Sequence, residues 1–553
     1  MPITPYTGPF GIPELRHLLR RTLFGVSPAD LAHFQGMTLD QVVDELLTFT
    51  NDTTPPVKDY GLPDGNGVPD PSLIDTAVPF GSTWVNTPRD PDDEPDVTSL
   101  RLVSWAAWWM GQMVQQQRNL REKLTLFWHN HLPTQVSVVF NSEAMYGMNQ
   151  VLRTHAMGNF RQLMHDVTIA PGMLYYLNGY LNVAVAPDEN YGRELQELFT
   201  VGEGSGYTES DVQAAARVLT GWTVQEEVNG NPVVPQTIFV PADHTTPDKQ
   251  FSSFYGGTVI PGQSGPNAGE NELNAMLAMI TSNPACATFV CRELYHFFVH
   301  GVIDANVETD VIGPLADLFE ANIDSPDQIR IVVRALLTSD HFFSSAIRGC
   351  MIKSPADLVI GELRMLGMPW PDASLFEARG LVWTDLYYLV SYAGQSVADP
   401  PNVAGWPAYY SYPTYDDLWL DTASFPARNN ALLGIVYSGF NTPAETAQAA
   451  SANLTFKADL VAFVQQLSAP SDPNALITDL ADLFYAPAIS QTVKDELKTN
   501  YLLFGQGADH YWTDAFTAYV NDPNTTDMAA QLVPNILLWL IGDMQKAAEH
   551  HLL

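Results

Sequence analysis

Residues of the types that do acid–base and metal chemistry are densest between Asp188 and Trp222, DENYGRELQELFTVGEGSGYTESDVQAAARVLTGW. Glu194 and Glu197 stand three apart in a helical pattern, the spacing at which one helix offers two carboxylates to a metal or to a proton transfer. Arg193 and Arg217 flank them as cations able to neutralise an anionic intermediate. A second group is FWHNHLP, in which His129 and His131 form an H-x-H pair. On extended backbone, alternate side chains project to one side, so this pair is half of a metal site that Glu194 would complete around a divalent ion. A third is His244, next to Asp243, Asp248 and Lys249 in a Gly/Pro-rich stretch, where loops on a rigid scaffold carry function. Glu293 with His296, and His165 with Asp166, repeat the pairing more weakly. Each group has a plainer reading: one satisfied core histidine and one exposed histidine in the H-x-H pair, a surface histidine at 244, and Glu194 held by a buried arginine such as Arg217, Arg121 or Arg153.

The elements that must position these groups are helices. Asp188 or Asn190 caps a first helix, Gly202 and Gly204 end it at positive φ, Thr208 with Asp211 makes a capping box for a second, and Gly221 stops that one. At about 100° per residue, Glu194 falls within the apolar arc of Tyr191, Leu195, Leu198, Phe199 and Val201, while Arg193 and Glu197 point away. A carboxylate on such a face needs a partner or a raised pKa. Pro133 disfavours helix at the residue before it, so the helix carrying His129 is expected to fray near Asn130. Helical periodicity fills most of the remaining chain, with two interruptions. Residues 51–96 are rich in Pro and Asp and read as a solvated loop, in which Asp64, Asn66 and Asp70 lack the glycine and glutamate spacing of a calcium loop. Residues 224–268 read as a small β-hairpin or a long ordered loop. The fold class is therefore mainly α, a large multi-helix orthogonal bundle with long irregular loops and a hairpin-like excursion. A main domain over 1–435 and a C-terminal helical extension over 436–553 are expected.

Composition narrows the partners. Asp plus Glu number 62 against 26 Lys plus Arg, a net charge of −36, which repels phosphate backbones and makes nucleic acid an unsuitable partner. Three cysteines, Cys286, Cys291 and Cys350, are too few for a disulfide framework and match no zinc spacing. No Walker loop, G-x-S-x-G elbow, H-E-x-x-H or Rossmann fingerprint occurs, so neither nucleotide nor flavin is expected. The start of the chain shows no signal peptide and no apolar run is long enough for a membrane span. The aromatic runs Trp105, Trp108, Trp109 and Tyr409, Tyr410, Tyr412 fit either a core or a sugar-binding cleft.

HLLRRTLFG at 17–25, REKLTLFWHNHLP at 121–133, the stretch 189–222, Asp243, His244 and Lys249, IKSPADLV at 352–359 and PPNVAGWP at 400–407 together resemble the successive blocks of a large bacterial family catalogued as domain of unknown function 1800. The blocks keep the family's order across about residues 13–435. The resemblance implies a mostly helical, exported protein, extracytoplasmic in location and often encoded beside a second exported family, with no established activity or cofactor. The chain departs from the pattern in lacking an export signal and in its acidic insertion at 51–96. Two functions follow as expectations. One is an exported enzyme, hydrolytic or oxidative, with a divalent metal or an acid–base site in an inter-helix cleft. The other is an acidic surface or assembly protein that binds a second exported protein or a polysaccharide without catalysis.

Overall fold

The computed structural model describes residues 3–49, 54–89 and 95–553. The remaining positions include much of the acid-rich run PRDPDDEPD, and that part of the reading lies outside the described residues. Helices dominate, as the periodicity requires, and the strands are confined to small two-stranded antiparallel sheets. Their ends carry the expected punctuation. Helix α1 (Ile12–Thr22) has Pro13 in its first turn, where the missing N–H costs nothing. Helix α2 (Asp96–Val114) buries Trp105, Trp108 and Trp109, and α3 (Arg121–His131) and α4 (Ser142–Thr154) pack beside it. Helix α5 (Asn190–Glu194) runs into a π-helical segment, Leu195–Thr200, and Gly202 and Gly204 follow at φ +86° and +70°. Helix α6 (Glu209–Val218) opens with the Thr208–Asp211 capping box.

The excursion after it is a hairpin. Strands β1 (Trp222–Val228) and β2 (Asn231–Phe239) pair antiparallel from Trp222 against Phe239, with a register shift between Gln225 and Glu227. Asn229 and Gly230 both take positive φ, the geometry that lets a two-residue turn follow the strand twist. Helices α7 (Ala268–Thr281), α8 (Pro284–Phe298), α9 (Pro355–Met365) and α10 (Phe376–Tyr392) complete the main core. A second apolar cluster gathers Met365 and Leu366 with residues between Val436 and Met544, chiefly from α11 (Pro473–Phe484) and α12 (Val533–Met544). No single helix among the described residues is long and apolar enough to cross a membrane.

The acidic loop departs from expectation, because it is packed and not simply solvated. Lys58, 2% exposed, donates through Nζ to the carbonyls of Pro71, Ile74, Asp75 and Val78 at 2.7–3.2 Å. Asp75 in turn meets Arg101 of α2 at 2.6 Å and accepts from Tyr60 Oη at 2.6 Å, and Arg101 also pairs with Glu143 of α4. Asp64 and Asp70 accept backbone N–H groups two residues on, at 2.7 and 2.8 Å, and so shape turns. Polar composition misled here: Lys58 and Asp75 face inward, onto carbonyls and onto Arg101. Arg101 and its carboxylate partners are nearly solvent-free, so removing the cation takes a buried ion pair from Asp75 and leaves Glu143 with Arg89, at 3.1 Å, as its cation. Arg101→Leu is expected to lower the urea-unfolding free energy by about 3–5 kcal/mol. A loss of only a few tenths would show that the loop is held some other way.

Candidate functional site

The expected constellation does not assemble. Helix α3 remains helical through His131, so residues two apart lie about 200° apart around its axis and the two imidazoles diverge. His129 sits between Trp109 and Trp406, with ring centroids 5.1 and 5.9 Å away, and burial pulls its pKa down to about 4. His131 bonds through Nε2 to Phe199 O at 2.9 Å against Phe127, and burial likewise brings it to about 4. Both are neutral core histidines. Among the described residues, no three His, Cys, Asp or Glu side chains gather as a metal site requires.

Glu194 is also not where the 100° periodicity put it. Tyr191, Leu195, Gln196, Phe199 and Thr200 form the buried face, while Arg193, Glu194 and Glu197 are all half-buried. The π-turn widens the helix and changes the phase after Leu195. Gln196 takes the inward position, donating to Gly192 O at 2.9 Å and accepting from Tyr255 Oη at 3.0 Å. Arg193 is engaged by Glu209 and Glu189, and Tyr207 Oη donates to Glu197 at 3.1 Å. No arginine pairs with Glu194 among the described residues: Arg153 and Arg121 are bound to Glu122, and Arg217 makes no ion pair. Desolvation, with Glu197 beside it, raises the Glu194 pKa. Glu293 is similarly pushed up to about 8 by burial, and His296 stacks on Tyr415 at 4.8 Å, away from metal geometry.

His244 lies within the molecule and not on a loop surface. Its Nδ1 is 2.8 Å from Thr220 O, and its Nε2 is 3.2 Å from Oε1 of Glu272 on α7. Lys249 Nζ reaches the other Glu272 oxygen at 2.5 Å, and the N–H of Gln263 donates to the carboxylate at 2.7 Å. All three side chains are nearly solvent-free, so this Lys–Glu–His cluster ties the segment after the hairpin to α7. Glu272 was absent from the sequence reading because nothing in ENELNAMLAMIT marks one glutamate as inward.

A better candidate is the cleft of about 420 Å³ between α2, α10 and the start of the acidic loop. That size falls within the range of small-molecule sites. Pro55 and Pro56 hold the chain extended, and Val57 bridges to Thr83, so successive side chains alternate. Lys58 turns into the loop and Asp59 turns onto α10. There Gly380 leaves room: a Cβ at that position would fall 1.9 Å from Asp59 Oδ2. Gly111 of α2 admits the Trp383 indole in the same way, at 2.5 Å. No lysine or arginine pairs with Asp59 among the described residues. Desolvation therefore dominates, with a small contribution from Glu377, and its pKa is pushed up to about 7 despite a hydrogen bond with Ser104. Arg121 and Arg379 stand on the same wall. Arg379 lies 5.2 Å over Trp383 and donates to Gln115 Oε1 at 3.2 Å. Gln112 and Asn119 add neutral donors and acceptors, and Trp108 from the aromatic run lines the cleft while Trp105 and Trp109 are core. The signal available in the sequence was Gly111 and Gly380, glycines inside helical patterns that mark a close approach.

Comparison with known proteins adds a family but no activity. Residues 17–524 match the family model described as "Protein of unknown function (DUF1800)". No curated protein and no solved structure matches.

The buried cluster makes a pH-dependent contribution whose sign is fixed. Burial favours the protonated form of Glu272, but the bonds from His244 and Lys249 outweigh it and its pKa is lowered. The folded state then holds its proton less tightly than the unfolded chain, so this stability is present above about pH 4.5 and lost as pH falls through the lowered value. Glu272→Gln should be destabilised at pH 7 and show a shallower decline of unfolding free energy below pH 4.5 than the parent. Equal slopes would remove Glu272 from the acid response.

Proposed function

Since the chain belongs to the DUF1800 family of proteins of unknown function, its role has to be read from its own site, and we propose that it is a hydrolytic enzyme working in the Asp59 cleft. The observation that carries this reading is a carboxyl group with a pKa of about 7 on the wall of a small-molecule-sized cleft, unpaired with any lysine or arginine among the described residues. A group that titrates near neutrality can take a proton from water and return it to a leaving group, the condition under which general acid–base catalysis is most effective. Arg121 and Arg379 supply positive charge where an oxyanion would develop, and the neutral amides around them suit a polar, uncharged substrate. The extracytoplasmic location implied by the resemblance belongs to the same proposal.

Two measurements on one variant test it. With chromogenic ester and glycoside substrates, kcat/KM of the parent should rise with pH and level off above about 7, and Asp59→Asn should lower it by about 10²–10⁴-fold. The stability arm has the opposite sign from an ordinary acid. Because the folded pKa is raised from 3.8 to about 7, the folded state holds a proton that the unfolded chain releases, so stability falls as pH rises from about 4 to 7. Asp59→Asn should abolish that fall and melt higher than the parent at pH 8. Gly380→Ala, which drives a methyl into the carboxylate, should reproduce the activity loss. An Asp59→Asn variant with parental turnover would end the proposal.

A further inference from the structure

A hollow of about 370 Å³ lies between α1, the segment around Arg348, and the chain from the end of α11 to Lys494. Its charge is the reverse of the molecule's. Arg16, Arg20, Arg348 and Lys494 line it, with Asp482 the acid among the lining residues, in a chain whose acids outnumber its bases 62 to 26. Two of these cations are compensated: Arg16 meets Asp482 at 2.8 Å and Arg348 meets Glu14 at 2.8 Å. The other two are not matched by carboxylates. Arg20 donates to the carbonyls of Asp482, Leu483 and Tyr485 at the end of α11, at 2.7–3.0 Å. Lys494 is half-buried and makes no ion pair among the described residues. Arg348 Nε has no hydrogen-bond partner. The titration of the groups inside agrees with a positive field. His17 is pulled down to about 3, first by burial and then by Arg21, Arg348 and Arg20, and Arg20 itself falls to about 9 through burial and Arg16.

We infer that this hollow is a binding site for a tetrahedral oxyanion, the phosphate or sulfate group of a small solute or of a derivatised sugar. Guanidinium forks and an ammonium on a flexible stem are the donor set that such a group takes, and charge-assisted bonds to it are roughly twice as strong as neutral ones. Four cations line this one concavity; Asp482 and Glu14 compensate two of them, and the charges of Arg20 and Lys494 are left for an anion to offset. The site joins α1 to the end of α11, so its ligand would fasten the main core to the second cluster. It is separate from the Asp59 cleft and stands or falls independently of the proposed reaction.

The test uses the whole chain and calorimetric titration at constant ionic strength with sodium phosphate, sodium sulfate and glucose 6-phosphate, and sodium chloride as control. Saturable binding of at least one oxyanion is expected, weakened about tenfold or more in Lys494→Gln and in Arg348→Gln, the scale of one lost charged hydrogen bond. Equal binding of the inorganic ions would identify a free anion as the occupant, and binding of glucose 6-phosphate alone would identify an esterified one. Lys494 has no ion-pair partner to lose, so its variant keeps the test valid even where Arg348→Gln unfolds. Absence of saturable binding to the parent, or binding unchanged in Lys494→Gln, overturns the inference.

Discussion

The buried ion pair between Lys123 of α3 and Asp357 of α9 is the contact on which the main core depends. Asp357 is the third residue of its helix; its N–H bonds Ser354 Oγ at 3.1 Å, and Ser354 donates back to the carboxylate at 2.9 Å. The helix N-terminus and the lysine thus stabilise the same negative charge. Lys123 sits 4.9 Å over Phe24, just beyond α1, and 5.6 Å from Phe297 of α8. At the other end of α3, Asn130 Oδ1 accepts the N–H of Trp406 at 2.9 Å. Gly405 sits so close that a Cβ would fall 2.4 Å from Asn130. The blocks at 17–25, 121–133 and 352–359, far apart in sequence, therefore meet around one desolvated pair, and 400–407 docks at the far end of the same helix. Two charges removed from water tolerate few alternative arrangements, because each lost partner exposes an uncompensated ion.

The same economy recurs through the molecule and explains why its few cations matter. Arg101 holds Asp75 and Glu143, Arg153 holds Glu122, and Lys249 with His244 holds Glu272. In each case an inward carboxylate is matched by a base, and for Glu272 the pairing holds the pKa below its ordinary value. Asp59 breaks this pattern. It is half-buried, unmatched by a lysine or arginine among the described residues, and set on a wall with two arginines, so desolvation outweighs its hydrogen bond with Ser104 and raises its proton affinity. Glu194 and Glu293 are raised as well, but Asp59 is the raised acid beside the small-molecule-sized cleft, and that combination points to chemistry, because perturbed carboxylates concentrate at functional sites.

Helix boundaries were the most legible feature. The Thr208–Asp211 box, the glycines at 202, 204 and 221, the Asn229-Gly230 turn and the proline-led helix starts act locally, through hydrogen bonds and backbone angles within a few residues. The candidate site was much less legible. The periodicity assigned Glu194 to a buried face because it assumed 3.6 residues per turn, and the π-helical segment from Leu195 broke that assumption. The H-x-H pair was given extended backbone, but α3 keeps its helical bonds through His131. The acidic loop was assigned to solvent on its charge, although Lys58 and Arg101 draw it inward.

From its own residues the chain determines a mainly α fold, its helix caps, its hairpin turn and its net acidity, since each of these follows from short-range geometry or summed charge. The tertiary structure alone decides which acids are paired. Counter-ions such as Asp357 for Lys123 and Glu272 for Lys249 come from segments 234 and 23 residues away, and no local pattern encodes that distance. It also decides that Asp59 has no such partner, because desolvation depends on what the whole fold places around a carboxyl group and not on the residues beside it in the chain.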